Sequence, residues 1–206
     1  MNFLKAWTYM QIPTQRLTVV TVVLISCLVF SPRARAQETE KIEVGIDYNY
    51  IRTNAPPGGC GCFSMNGGGG WLAYNLTNSL AAVSEFSVQH ATGIGGIGAN
   101  LTLTSYLFGP RYSLRWSNHI VPFGQALFGG AHANGSLAPG SPAIPGSPNV
   151  FAMTAGGGVD IMLNRHFAVR AAQVDYFLTR LKNGVNDHQN NLRFSAGVVF
   201  RFGSSR

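Results

Sequence analysis

Charge is scarce in this chain of 206 residues: Lys, Arg, Asp and Glu make up 11%, while 46% of residues are apolar. Soluble domains usually carry about a quarter charged residues, so the apolar share needs an outlet other than a water-facing globule. Cysteine is equally sparse, with three residues, Cys27, Cys60 and Cys62. One falls in an N-terminal apolar run and the other two are a single residue apart, a spacing that strains a mutual disulfide. With no histidine near them in sequence, they do not read as a zinc site. The apolar run itself, Leu17–Phe30 (LTVVTVVLISCLVF), falls short of the ~20 residues a helix needs to cross a ~30 Å hydrocarbon core. A transmembrane helix is excluded there, and beyond it no segment repeats apolar residues at the helical period of a long amphipathic helix.

What the N-terminal run does match is an export signal. Lys5 and Arg16 precede it, and Ser31-Pro32-Arg33-Ala34-Arg35-Ala36-Gln37 follow it; Ala34 and Ala36 form an A-x-A cleavage site. We expect a signal peptide over 1–36 and one mature domain over 37–206, a length suited to a single core or barrel. Initiation at Met10 instead of Met1 would shorten the leader to 27 residues. The stretch Leu24-Ile25-Ser26-Cys27 is a poor lipoprotein box, because Leu28-Val29-Phe30 carry the apolar run past the cysteine. Removing the leader takes away four of the fifteen basic residues (Lys5, Arg16, Arg33, Arg35) and no acid, so the formal charge falls from +7 to +3. No Lys/Arg run survives, which argues against a nucleic-acid partner. Cys60 and Cys62 then lie in an oxidising compartment.

The mature chain alternates with a period of two between clusters of Gly, Asn, Pro and Ser, the pattern of strands. In Glu43–Arg52, Val44, Ile46, Tyr48 and Tyr50 share one face, and Glu43, Gly45, Asp47 and Asn49 the other. In Asn190–Phe202, Leu192, Phe194, Ala196, Val198, Phe200 and Phe202 oppose Arg193, Ser195, Gly197, Val199 and Arg201. Between these ends we expect strands near Gly69–Leu76, Leu80–His90, Leu101–Arg115, Ile120–Ala131, Val150–Leu163 and Phe167–Leu178. Connections 77–79, 117–119 and 164–166 read as tight turns, and 53–68, 91–100, 132–149 and 179–189 as long loops. Eight long strands with alternating short and long connections predict an all-β, eight-stranded antiparallel up-and-down transmembrane β-barrel.

A bilayer cannot satisfy stray backbone groups, so such a sheet must close, with apolar side chains towards lipid and polar ones towards the lumen. That phase assigns Glu43, Asp47, Glu85, Arg111, Asp160, Arg170 and Arg193 to the lumen as a nearly charge-matched set, with Glu85–Arg111 as the favoured pair. Eight strands enclose a bore that side chains just fill, so a structural network is preferred over an ion path. Tyr48, Tyr50, Trp71, Tyr74, Tyr112, Trp116, Tyr176 and Phe202 are candidates for interfacial girdles. In Phe167–Leu178, Arg170 and Asp175 fall on opposite parities, which requires a bulge or a polar group near the rim. The phase of Ile120–Ala131, with Pro122 and its glycines, stays open.

Catalytic chemistry finds little support. A nucleophile needs a base within hydrogen-bond reach, an i, i+2 neighbour on a strand or one across a ladder, and no His-x-Ser occurs. His119 and His166 sit in expected turns and His188 in a loop; His90 and His132 flank loops, near Ser87 and Ser136. Gly67–Gly70 and Gly156–Gly158 lack the Lys-Ser/Thr of a phosphate loop. We therefore expect no catalytic, metal or cofactor site.

Val83-Ser84-Glu85-Phe86-Ser87, Leu107-Phe108-Gly109-Pro110-Arg111-Tyr112, Pro122-Phe123-Gly124-Gln125-Ala126-Leu127-Phe128-Gly129-Gly130 and the run Arg193–Phe202 resemble strand motifs of the outer-membrane β-barrel domain family, similar to the transmembrane part of OmpA. The resemblance runs from about Glu43 to Phe202. It implies an integral protein of the Gram-negative outer membrane, in contact with lipid and lipopolysaccharide. It also implies insertion by the outer-membrane assembly machinery, which reads a final strand ending in an aromatic such as Phe202. It implies no wall-tethering role. The expected function is a structural or surface-interaction barrel; the alternatives are a narrow pore, a lipid A hydrolase or acyltransferase, and a soluble lipocalin-like barrel with its faces reversed.

Overall fold

The computed structural model describes residues 40–53, 63–94, 99–115, 117–135, 149–181 and 188–203; the expected leader, Cys60, Cys62, Trp116 and Ser136 lie outside them. Eight strands run in order: β1 Ile42–Arg52, β2 Ser64–Asn75, β3 Leu80–Ile94, β4 Ala99–Ser113, β5 Ile120–Gly135, β6 Asn149–Met162, β7 Phe167–Thr179 and β8 Gln189–Phe202. Each pairs antiparallel with the next and β8 pairs with β1, closing the barrel. Closure leaves no unpaired edge, the condition for a sheet in hydrocarbon.

The stagger is readable from the register. Asn75 faces Ala81, and the row continues through Arg111, Gln125, Gly156, Asp175, Arg193 and Ile51 to Met65. One circuit thus returns to β2 ten residues from where it left. At ordinary strand spacings that offset tilts the strands by about 40°. The ten steps of β1 then rise about 25 Å, the height of the apolar band of a membrane barrel.

The exterior is apolar along that height. Ile46, Tyr48, Leu72, Phe86, Tyr106, Phe108, Phe128, Val174 and Phe200 all point outward and are exposed, Ile46 at 60% and Phe108 at 62%. Near the long-loop rim, outward polar groups pair across strands: Tyr48 donates to Asn66 (2.7 Å), Tyr50 and Ser64 share a hydrogen bond (2.7 Å), and Tyr176 donates to Asn190 (2.5 Å). Such aromatic and polar pairs belong where hydrocarbon meets water.

Several elements differ from the sequence expectation. β2 starts at Ser64, so residues 64–68, Gly67 and Gly68 among them, are strand rather than loop. β3 and β4 extend to Ile94 and Ala99, so the expected long connection 91–100 shrinks to 95–98. The phase of β5 resolves with Val121, Phe123, Gln125 and Leu127 buried and Ile120 and Phe128 outward. In β7 the register shifts between Arg170 and Gln173; this bulge lets Arg170 and Asp175 both face inward despite opposite parity. Trp71 leaves the proposed girdle: it is 3% exposed and points into the lumen. It faces Gly45 in register, and a Cβ on Gly45 would stand 2.1 Å from the Trp71 ring. The bare glycine opposite is what admits an indole to so narrow a bore.

The interior is not polar throughout. Towards the long-loop ends Ile51, Met65, Leu101, Leu103, Ala133 and Phe177 are buried in one apolar cluster, beside the uncharged polar side chains of Asn49, Thr179, Gln189 and Asn191. The buried charges lie nearer the short turns and the middle. The rule of grease outside and polarity inside is therefore broken at the loop end, where apolar side chains share the bore with uncharged polar ones.

Candidate functional site: the charged lumen

All seven expected lumen residues, Glu43, Asp47, Glu85, Arg111, Asp160, Arg170 and Arg193, are buried inside the barrel. They form three layers. At the short-turn end Glu43 Oε1 accepts from Arg115 Nη2 (2.9 Å), Arg201 Nε (3.0 Å) and Asn75 Nδ2 (3.1 Å). Two guanidiniums thus share one carboxylate oxygen.

The second layer is built on aromatic faces. Arg170 donates Nε and Nη2 to the two oxygens of Asp160 (2.9 and 3.1 Å). Arg111 donates Nε and Nη2 to Gln125 Oε1 (3.0 and 2.9 Å). Both guanidiniums lie against both rings: Arg111 is 4.1 Å from the centroid of Trp71 and 4.8 Å from that of Phe123, and Arg170 is 4.2 and 4.3 Å away. In a desolvated site each such contact is worth about 2 kcal/mol, which helps hold Arg111 where no carboxylate reaches its hydrogen bonds.

The middle layer centres on Arg193. It donates through both Nη atoms to Glu85 and through Nε and Nη2 to Asp175 Oδ2 (3.1 and 2.7 Å). Asp175 also accepts from Gln173 (2.6 Å), which itself accepts from Arg170 (2.7 Å), so the second and third layers are linked. Beside them Ser195 donates to Asn49 (2.5 Å) and Asn49 to Asp47 (3.0 Å).

The structure corrects the favoured pair, Glu85 with Arg111. Glu85 faces Leu107 in register and Arg111 faces Ala81, a four-residue offset of about 13 Å along the strand. Arg193, reaching across from β8, takes Glu85 instead. Arg201, Arg115, Gln125, Gln173 and Asp175 complete the network beyond the seven expected residues; the signal for Arg201 is its inward parity on β8, whereas the open phase of β5 hides Gln125.

Among the described residues no histidine ring is hydrogen-bonded to a serine. His90 is exposed on the outer face, sharing a hydrogen bond with Thr102 (2.9 Å), whereas Ser87 points inward and bonds Ser105 (2.8 Å). His132 pairs with Asn149 (3.1 Å), and His119, His166 and His188 are exposed. Among the described residues no group of three His, Cys, Asp or Glu is arranged to hold a metal ion.

A closed barrel of eight tilted strands, apolar outside and charged within, is the architecture of small outer-membrane proteins. The family model for the outer membrane protein beta-barrel domain matches residues 21–202. The chain belongs to that family. It is an integral protein of the outer membrane. Solved structures agree in fold. Neisserial surface protein A superposes with a TM-score of 0.63 at 14% identity, over 81% of this chain and 100% of that one. Ail, the attachment invasion locus protein of Yersinia pestis, gives 0.55 at 15% identity, over 80% and 99%. Outer membrane protein W of E. coli gives 0.50 at 14% identity, over 81% and 100%. No curated protein sequence matches this outer-membrane barrel.

Proposed function

We propose that this outer-membrane barrel is plugged, that its role is structural or lies in surface interactions at its long-loop rim, and that it neither conducts solutes nor catalyses a reaction. The observation that carries this reading is the filled bore. The Arg111–Arg170 layer stacked on Trp71 and Phe123, the Arg193 layer, and the apolar cluster at the loop end all occupy the axis in succession. Arg111, Arg170 and Arg193 rank among the most deeply buried large side chains of the protein. An ion entering from the loop side would first have to desolvate against Ile51, Met65, Leu101 and Phe177, at a penalty of several kcal/mol.

The surface half of the proposal draws on the rim. Exposed Arg52 and Arg180 lie there, beside Ser64 and the Phe151 ring, and Ail, a structural neighbour, has been solved with the heparin analogue sucrose octasulfate. Planar-bilayer recording tests the plug: the purified barrel should give no unitary currents. Steady channels that vanish in a Glu85→Gln/Arg193→Met variant would establish an ion path instead. Mass spectrometry of lipid A from overexpressing cells should show unaltered acylation; a changed acyl pattern would make the protein an enzyme.

A further inference from the structure

Leaving aside the Arg165–Glu40 pair of the short-turn rim, which cancels, ten charged side chains of the lumen and that rim balance in number but not in position. Within three residues of the short-turn strand ends stand Arg111, Arg115, Arg170 and Arg201 against Glu43 and Asp160. Five or more residues further in stand Arg193 against Asp47, Glu85 and Asp175. The barrel is therefore polarised along its axis, two positive charges in excess at the short-turn end and two negative in the middle. In a low-dielectric wall that separation is weakly screened, and it places a positive potential at the short-turn mouth.

That mouth holds a pocket of about 510 Å³, formed where two of the tight turns meet the ends of β4, β6 and β8. Arg115, Arg165, Arg201, His119, Asn118 and Glu40 contribute to its lining. Among the described residues its charges do not cancel: Arg165 pairs with Glu40 (2.6 Å), and Arg115 and Arg201 both converge on Glu43. Arg201 Nη1 is left facing the thioether sulfur of Met162 at 3.6 Å, a weak acceptor for a guanidinium. A cavity whose described residues carry one arginine more than carboxylates, with a fork of guanidinium donors and polar turn side chains, suits a small oxyanion that can accept from two arginines at once.

We propose that this pocket binds a phosphate or carboxylate group, held between Arg115 and Arg201 at the short-turn rim, which is the periplasmic side in barrels of this class. Two sources present that chemistry there: the headgroup of an inner-leaflet phospholipid and a free periplasmic anion.

The test is a titration of the whole barrel with inorganic phosphate, in maltoside micelles that carry no phosphate of their own. It is followed by the arginine Nε–H signals in NMR at low ionic strength, where surface electrostatics are least screened. Saturable shifts are expected at Arg115, Arg165 and Arg201 and not at Arg193. Arg115→Gln removes the excess charge while leaving Glu43 its Arg201 partner, and should weaken binding at least tenfold. Asn118→Asp sets a negative charge in an exposed turn without touching the network, and should weaken binding similarly in a barrel that still shows its heat-modifiable gel shift. Absence of saturation, or equal titration of the parent and Asn118→Asp, overturns the site. Reconstitution into phosphatidylglycerol nanodiscs then separates the sources. Signals already at their phosphate-bound positions identify the headgroup, and an unchanged phosphate titration identifies a soluble anion.

Discussion

Arg193 is the side chain whose loss the barrel should tolerate least. It is 1% exposed and joins Glu85 to Asp175 by four hydrogen bonds. Arg193→Met keeps the volume but strands two carboxylates in a bore with no other cation in hydrogen-bonding reach of Glu85. Breaking a buried pair in this way costs about 3–5 kcal/mol, which lowers the folding constant by about two to three and a half powers of ten. Removing the whole cluster is a different matter. Arg193→Met with Glu85→Met and Asp175→Leu strands no charge of the cluster and leaves only the Gln173 amide without its acceptor, so it should lose about 1–2 kcal/mol at most. Equilibrium urea unfolding in lipid vesicles measures both. Trp71, buried against Arg111 and Arg170, reports lumen integrity by its emission, and Trp116→Phe makes it the one tryptophan after residue 36. If Arg193→Met loses less than about 1 kcal/mol, or the triple variant falls as far as the single one, the middle of the bore is wet and the layered account of it is wrong.

Other perturbations separate the parts of the structure. Gly45→Val drives a side chain into the Trp71 ring, so the heat-modifiable folded band should be missing from outer membranes, and should return in part with Trp71→Ala. Phe108→Arg, on the exposed lipid-facing wall, should lose about 2–4 kcal/mol in vesicle unfolding if that position lies near the bilayer midplane. An unchanged value would place the wall in water. Gln89 is buried with neither amide atom hydrogen-bonded and lies between Gly67 and Leu103 in register. Gln89→Leu should therefore stabilise the barrel by about 1–2 kcal/mol, and a loss in the same assay would mean the amide has a water or loop partner.

The sequence revealed the wall better than what fills it. β1 and β8 were legible because one face carries charge and the other aromatic or branched residues, and strand geometry converts that alternation directly into two sides. The bulge in β7 was legible too, from the conflicting parity of Arg170 and Asp175. The partners across the bore were not. Which arginine meets Glu85 depends on a ten-residue stagger accumulated over eight strands, a property of closure that no local pattern encodes. Trp71 misled for a related reason. Its parity matched a face of small residues, Gly69 and Ala73, yet an aromatic near a strand end suggested a membrane interface; only its register with Gly45 explains an indole inside. Gly67 and Gly68 read as loop because glycine usually interrupts strands. Here a Cβ on Gly67 would come within 1.9 Å of the Val88 carbonyl oxygen, so the tight curvature of the small barrel favours the smallest residue.

The apolar cluster under the loop end separates two jobs that wider barrels leave to the same segments. If, as proposed, the bore is plugged, with Ile51, Met65, Leu101 and Phe177 buried within the strands at that end, the connections between strands are relieved of guarding against leakage. Insertions, deletions or recombination in those connections can then alter what a cell displays while its permeability barrier stays intact, which makes this small scaffold well suited to rapid diversification at its outer surface.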